Sequence, residues 1–335
     1  MSHNNYLPHF LSSMTHNTLY NEYKDSTSGV SFKFWNWKCT TTNYAPYRID
    51  FPGGPTGRFS NGKTSVDVIT EKLGFNGHIS LYASARGRDI LRGVNYASTA
   101  AGIREETGQQ LGKRISFRGQ VVNYQRTMSQ LVNNFGDENT TANYLSKCIY
   151  TIGLGSNDYL NNYFMPQIYS SSRQFTPQQY ANVILQAYAQ QLKILYNYGA
   201  RKMALFGVGQ IGCSPSELAQ NNPDGRTCVA RINSANQLFN NGLKSLVDQF
   251  NNQFPDARFI YVNVYGIFGD IINNPSAYGF RVTNAGCYGV GRENLTRIVY
   301  EEKRKLRLGK GKNKIVTEFL ISHNSPNIIV TEISN

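Results

Sequence analysis

The stretch Tyr150-Thr151-Ile152-Gly153-Leu154-Gly155-Ser156-Asn157-Asp158-Tyr159 decides how the chain folds. Its first residues, with Cys148 and Ile149 before them, form a short apolar and partly β-branched run that is typical of a buried strand. Gly153 and Gly155 then allow a tight turn at the carboxyl end of that strand. In open α/β sheets this end of a strand is where ligands bind. The stretch therefore predicts a sheet with a site where this strand ends.

Asn157 is the side chain of this turn for which we predict a chemical role. Held on a constrained turn, its amide can donate a hydrogen bond to an oxyanion that develops on a carbonyl carbon. The alternative is structural, because Asn and Asp are common turn residues whose side chains bond to their own backbone. The four residues Gly155-Ser156-Asn157-Asp158 by themselves favour the structural interpretation, so a functional role needs support from the rest of the chain.

Strand and helix patterns alternate along most of the chain. Thr64 can cap a helix that Gly74 ends, and Thr176-Pro177 is a good start for a later helix. This alternation predicts parallel βαβ units, and hence an α/β layered sheet with helices on both faces. Further strands are predicted at 93–98, 203–208 and 258–264, and further helices at about 117–134, 141–146, 228–250 and 267–272.

The composition is that of a large globular protein. Only 16% of the 335 residues are charged, while 22 Tyr and 18 Phe supply material for a core, and we favour one large domain. No apolar run is long enough to span a membrane, and residues 1–16 lack the apolar core of a signal peptide. As written, the sequence predicts an intracellular protein, and it gives no prediction of the oligomeric state.

The net charge of +13 does not predict nucleic-acid binding. Much of the positive excess lies in one run between Arg297 and Lys314, and such a run is usually a solvated tail. No nucleic-acid-binding fold or aromatic RNA motif accompanies it.

The five cysteines do not predict a metal site. They contain no CxxC pair and the histidines are scattered, so we expect neither a metal nor a cofactor. Cys213 and Cys228 can close a short loop if the compartment is oxidising.

Several ordered motifs together resemble the plant GDSL esterase/lipase family within the SGNH hydrolases. They extend over about residues 43–292, which makes chance agreement negligible. The motifs are Asn43-Tyr-Ala-Pro-Tyr, Gly57-Arg-Phe-Ser-Asn-Gly-Lys, Gly93-Val-Asn-Tyr-Ala-Ser, Gly155-Ser-Asn-Asp-Tyr-Leu, Gly212-Cys-Ser-Pro, Asn274-Pro-Ser-Ala-Tyr-Gly-Phe and Gly286-Cys-Tyr-Gly-Val-Gly.

The resemblance implies a flavodoxin-like parallel sheet and hydrolysis of acyl or lipid esters without a cofactor. It implies a Ser nucleophile, a His base oriented by Asp, and an oxyanion site made by an Asn side chain and a backbone amide. The Asn corresponds to Asn157. The backbone donor corresponds to the turn at 99–102, through the Ala100 amide, where many relatives have glycine. The family usually enters the secretory pathway, in which Asn139 and Asn294 would be glycosylation acceptors; without a signal peptide we expect neither to be modified.

The catalytic motifs of the family are absent at both ends. No Gly-Asp-Ser-Leu occurs, and Ser26 in Asp25-Ser26 is the only candidate nucleophile at about the right distance. The terminal Asp-x-x-His motif is absent too, since Leu320 stands three residues before His323, the candidate base. The remaining histidines match nothing in the family pattern; they are His3, His9, His16 and His78.

Abrupt departures at both ends suggest replaced termini, by altered splicing or a misplaced exon boundary. We therefore divide the chain into an atypical segment 1–42, a hydrolase-like domain 43–292 and a basic atypical tail 293–335. The family's central first strand would then be missing or replaced, leaving a gap of roughly 10 Å between the strands at 93–98 and 149–153. Residues 30–34 are the only β-prone substitute that we identify. Such a gap predicts a poorly soluble product.

Two functions follow from these patterns. The first is an ester hydrolase by descent whose turnover is impaired in this chain. The second is a non-catalytic relative that binds acyl ligands or a protein partner, and the missing catalytic motifs favour it for this chain.

Overall fold

The computed structural model of the chain describes residues 64–74, 79–222 and 224–284 with their side chains, together with the backbone of residues 11–13. Within these residues the strands form one parallel sheet. The strands are β1 Leu11–Ser13, β2 Ser80–Leu81, β3 Val94–Asn95, β4 Ile149–Ile152, β5 Lys202–Phe206 and β6 Arg258–Val262. Their order across the sheet is β2-β3-β1-β4-β5-β6.

Helices connect the strands, as the alternating pattern predicts. They are α1 Ser65–Lys72, α2 Phe117–Phe135, α3 Glu138–Ser146, α4 Ser156–Asp158, α5 Ser171–Gln174, α6 Pro177–Asn197, α7 Pro215–Asn221, α8 Ala230–Gln253 and α9 Val264–Asn273.

Both faces of the sheet are covered, which successive residues of β5 show. Met203 and Leu205 belong to the larger apolar cluster, which contains the buried faces of α2, α6 and α8. Ala204 and Phe206 belong to a smaller cluster with residues of α9 and α1. Because successive side chains of a strand point to opposite faces, these two clusters lie on opposite sides of the sheet. The prediction of an α/β sheet with helices on both faces is confirmed.

The predicted gap in the middle of the sheet is wrong. Leu11–Ser13 lies between the two strands that were expected to face a gap: Ser12 is in register with Val94 on one side and with Tyr150 on the other. Of the two possibilities, a missing or a replaced central strand, the structure has the replaced one. The prediction failed because a three-residue strand is too short to show a period in the sequence. Residues 30–34 lie outside the described part of the chain.

Helix starts agree with the capping signals. The Thr64 hydroxyl accepts a hydrogen bond from the Asp67 N–H, and the Asp67 carboxylate accepts one from the Thr64 N–H. Thr176 and Gln179 form the same reciprocal pair at the start of α6. Each pair satisfies two backbone donors that the first turn of a helix leaves free.

Two strands are shorter than predicted because an asparagine ends each of them. The Asn95 side chain accepts a hydrogen bond from the Ala97 N–H at 2.9 Å, which turns the chain away after β3. The Asn263 side chain accepts one from the Gly266 N–H at 3.1 Å and so begins α9, where the sequence predicts the end of a strand. Such local side-chain bonds compete with a strand's backbone ladder.

Cys213 and Cys228 form a disulfide, as the sequence allows. Among the residues that the structure describes, no helix combines the length and the hydropathy that a membrane span needs.

Candidate active site

The site begins with the turn that follows β4. Gly155 has a φ of +126°, which L side chains rarely adopt, and a Cβ atom there would lie 2.9 Å from the Val208 Cγ2. Only glycine fits this position. α4 begins directly after it and places Asn157, which is 4% exposed, at the carboxyl end of β4.

Asn157 bonds to groups outside its own turn. Its Nδ2 donates to the Ala101 carbonyl at 2.9 Å, and its Oδ1 accepts from the Asn161 Nδ2 at 2.7 Å. These two bonds fix which way the amide faces. The structural alternative, a side chain bonded to its own turn backbone, is therefore not what Asn157 does. Its second amide hydrogen donates to none of the residues that the structure describes.

Ala100 lies in a turn at the end of β3 in an unusual conformation. The Ala101 N–H donates to the Ser98 carbonyl at 3.2 Å and closes the turn, while Ala100 has a φ of +58°. This position normally takes glycine, and an L residue in it costs about 1–2 kcal/mol. Within the described parts of the chain, the Ala100 N–H donates to no acceptor. We call residues 98–108, which contain this turn, the oxyanion loop.

The two donors lie on segments that are bonded to each other. Asn157 is bonded to the carbonyl of Ala101, the residue that follows Ala100. One side-chain N–H and one backbone N–H are thus held on adjacent elements at the carboxyl edge of the sheet. The sequence predicts both residues for this role, and the structure brings them together.

The Asp158 carboxylate fastens the oxyanion loop to α4. Its Oδ2 accepts from the Ile103 N–H at 2.8 Å, and its Oδ1 accepts from the Arg104 N–H at 3.0 Å and from the Thr107 hydroxyl at 2.8 Å. Asp158 is 0% exposed. Burial disfavours its charged form and raises its pKa to about 6, although these three donors act in the opposite direction.

Two glycines allow the oxyanion loop to pack this closely. A Cβ on Gly102 would lie 2.5 Å from the Asp158 Oδ1, and a Cβ on Gly108 would lie 2.2 Å from the Ala100 carbonyl oxygen. In the second contact, a Cβ attached rigidly to the backbone of residue 108 would meet a backbone oxygen. Rotation of a side chain could therefore not relieve it. The position of Ala100 thus depends on Gly108.

Three buried asparagines of α8 hold the loop that follows β5, next along the carboxyl edge. The Asn240 amide bonds both the N–H and the carbonyl of Val208. Asn233 accepts from the Gly212 N–H at 2.9 Å, and Asn236 donates to the Gly209 carbonyl at 3.1 Å. This part of the edge is fixed without charged groups.

The candidate nucleophile and base lie outside the described residues, so Ser26 and His323 are not placed relative to Asn157. The same holds for the other histidines. No group of His, Cys, Asp and Glu that could hold a metal ion occurs among the residues that the structure describes.

Sequence reasoning missed the roles of Asp158, Thr107 and Asn161. Asp158 stands next to Asn157 in a motif that the sequence singles out, which was a usable signal. Thr107 and Asn161 carry no such signal, because their contacts to the site depend on the tertiary fold.

Acyl-transfer enzymes stabilise a developing oxyanion with amide donors held at such a strand end, and these two donors have no acceptor among the described residues. The fold is thus a parallel α/β sheet with two amide donors at its carboxyl edge. The chain belongs to the GDSL-like lipase/acylhydrolase family, whose sequence model matches residues 25–318.

Relatives with the same family name are close in sequence. The chain is 70% identical over 251 residues to GDSL esterase/lipase At1g29670 of Arabidopsis thaliana, an alignment that covers 75% of this chain and 69% of the relative. It is 68% identical over 252 residues to GDSL esterase/lipase At4g18970 of the same plant, covering 75% and 70%. The protein is thus an esterase/lipase-like hydrolase by family.

Proposed function

We propose that the described domain binds carboxylic esters of acyl or lipid type and stabilises the oxyanion of their hydrolysis. Attack of a hydroxyl on the ester carbonyl carbon moves an electron pair onto the carbonyl oxygen. The Asn157 Nδ2 and the Ala100 N–H are the donors for that oxygen. The observation that carries the proposal is the fixed orientation of the Asn157 amide: one of its hydrogens, like the Ala100 N–H, has no acceptor among the residues that the structure describes.

We further propose that turnover by this chain is impaired. Ser26 and His323 are the residues of the right type, as nucleophile and base, but neither stands in the motif that the family uses. Ser26 comes well after β1, whereas the family's nucleophile follows its central strand directly. Loss of a whole triad lowers kcat by about a millionfold in a serine hydrolase. A non-catalytic relative that binds acyl ligands or a protein partner is the second candidate, and the missing motifs favour it.

Impaired turnover predicts that the wild-type protein hydrolyses a short-chain chromogenic ester no faster than Asn157→Ala. The measurement is the initial rate at matched protein concentration, with Ser26→Ala as a third sample. Turnover that disappears in Ser26→Ala would contradict the proposal and identify Ser26 as the nucleophile.

Binding tests the oxyanion site without turnover. Butyrate, a carboxylate with the charge of an oxyanion, should bind the wild type about tenfold more tightly than Asn157→Ala, because a hydrogen bond to a charged group is lost. Equal affinity in the two proteins would remove the basis for assigning this role to Asn157.

We infer an oxidising compartment for the folded protein. The Cys213–Cys228 disulfide supports this inference, since disulfides are rare in the reducing cytosol. It runs against the intracellular location that the sequence as written predicts.

An oxidising secretory compartment predicts glycosylation at Asn139, which is exposed in the first turn of α3. Glycosidase treatment of the protein from plant cells should increase its mobility on a gel, and Asn139→Gln should reduce that change. If the mobility of the wild type is the same with and without glycosidase, the protein does not pass through this pathway.

A further inference from the structure

Asp158 is a buried acid for which ester hydrolysis offers no direct role. Its side chain is enclosed, and its two oxygens are occupied by three donors from the oxyanion loop. A carboxylate in this position does not touch a bound ester. It follows Asn157 immediately in the sequence, so both residues are set by the same short helix, α4.

We propose that Asp158 is a positioning residue of the oxyanion site, and that its carboxylate sets the oxyanion loop so that the Ala100 N–H faces the same point as the Asn157 amide. The proposal rests on the proposed function for the use of these donors, but not for their placement.

Hydrogen bonds link Asp158, the oxyanion loop and Asn157 into one closed network. Asn157 bonds to Ala101 in the oxyanion loop, and Asp158 bonds to the same loop a few residues later. At the end of the loop the Gly108 N–H donates to the Asn161 carbonyl at 3.1 Å. The Asn161 side chain then returns to the Asn157 Oδ1. A change at Asp158 therefore alters both donors of the site.

Thr107 connects this hydrogen-bond network to Asn162 and Ser171. Its hydroxyl donates to Asp158 and accepts from the Asn162 Nδ2 at 3.0 Å. The Asn162 Oδ1 in turn accepts from the Ser171 hydroxyl at 2.6 Å. The Thr107 hydroxyl thus joins the Asp158 carboxylate to the bonded pair of Asn162 and Ser171.

The strained backbone of Ala100 explains why the oxyanion loop needs the hydrogen bonds to Asp158. A left-handed alanine persists only where its surroundings hold it in place. Asp158 bonds to the backbone three and four residues after Ala100, and the backbone of Gly108 packs closely against the Ala100 carbonyl.

The other titratable groups around Asp158 differ from it in the pH range in which they change charge. Burial of Glu106 raises its pKa, but hydrogen bonds from Arg104, its own backbone and Asn162 outweigh this effect, so that its pKa lies below the ordinary value. From α6, the Tyr180 hydroxyl donates to the Asp158 backbone carbonyl, and burial raises the pKa of Tyr180. Burial likewise raises the pKa of Tyr159, which follows Asp158. Among the titratable groups that the structure describes around Asp158, Asp158 is thus the one that changes charge between pH 5 and 7.

The test is a pH titration of backbone and side-chain amide signals by NMR on the full-length protein without ligand. The signals of Ala100 N–H and Asn157 Nδ2 should both move with one apparent pKa near that of Asp158, about 6. Protonation replaces an acceptor lone pair that faces these N–H donors by an O–H group, so the surroundings of both donors change as Asp158 titrates. In Asp158→Asn this titration should be absent, and the Ile103 and Arg104 amides should exchange with solvent about tenfold to a hundredfold faster.

Three further variants separate a positioning role from general destabilisation. Thr107→Val should reproduce part of the Asp158→Asn effect and Thr107→Ser should not, which keeps the proposal testable if Asp158→Asn fails to fold. Asp256→Asn changes an acid that pairs with Arg201 at the amino edge of the sheet, and it should leave the Ala100 and Asn157 signals unchanged.

The outcomes are distinct from those for the proposed function. If Ile103 and Arg104 respond to Asp158→Asn while Ala100 and Asn157 do not, Asp158 only holds its own neighbours and the proposal is wrong. If all four respond, Asp158 sets the site, whatever the rate of ester hydrolysis.

Discussion

A chimera in which residues 1–42 and 293–335 are replaced by the corresponding segments of GDSL esterase/lipase At1g29670 should hydrolyse a short-chain ester, and Asn157→Ala in that chimera should lower kcat by about 100-fold to 1,000-fold. The exchange leaves the oxyanion site of this chain intact, since the described site residues lie between 98 and 162. Removal of one oxyanion donor acts on the transition state, in which the oxygen carries charge, so KM should change little.

The measurement is kcat and KM of the chimera and its variants. Asn133→Ala is the matched control, because Asn133 is exposed on α2 and contributes nothing to the site. The proposal that the described domain retains a working oxyanion site fails if the folded chimera is inactive, or if Asn157→Ala leaves its kcat unchanged.

The second large effect is expected at Gly108. Replacement by alanine places a Cβ 2.2 Å from the Ala100 carbonyl oxygen, and it also forces an L residue into a φ of +77°. Overpacking against rigid backbone costs typically 1–3 kcal/mol and the positive φ about 1–2 kcal/mol more, so Gly108→Ala should lower the free energy of unfolding by about 3 kcal/mol.

Gly112→Ala is the control for that change. Gly112 also has a positive φ, +105°, but a Cβ there would meet nothing within 4 Å. It should therefore cost only the conformational part, about 1–2 kcal/mol. Urea unfolding of both variants measures the difference. Equal destabilisation would show that glycine is required at 108 only because of the positive φ. The contact that a Cβ would make with the Ala100 carbonyl would then contribute nothing to the loss of stability.

The sequence predicted the parts of the fold that depend on local chemistry. Thr64 and Thr176 mark helix starts because a hydroxyl at that position satisfies free backbone donors nearby in the chain. The sequence also places Asn157 and Ala100 at strand ends, and parallel strands bring their carboxyl ends to one edge. The strand ends at Asn95 and Asn263 were missed because one side-chain hydrogen bond overrides a good strand pattern.

Longer-range features were decided by the tertiary structure. Leu11–Ser13 becomes the central strand because β3 and β4 offer backbone donors and acceptors on both sides, and buried groups of that kind need partners. Three residues with no period of their own do not reveal this in the sequence.

What the sequence by itself determined is the order of the elements after the central strand, the α/β class and the two residues that we propose as oxyanion donors. Only the tertiary structure decided how those donors are held. The bonds of Asp158 to the oxyanion loop join residues more than 50 positions apart. Local propensity carries no information about such a contact, because its strength comes from the buried environment that the folded sheet and helices create around it.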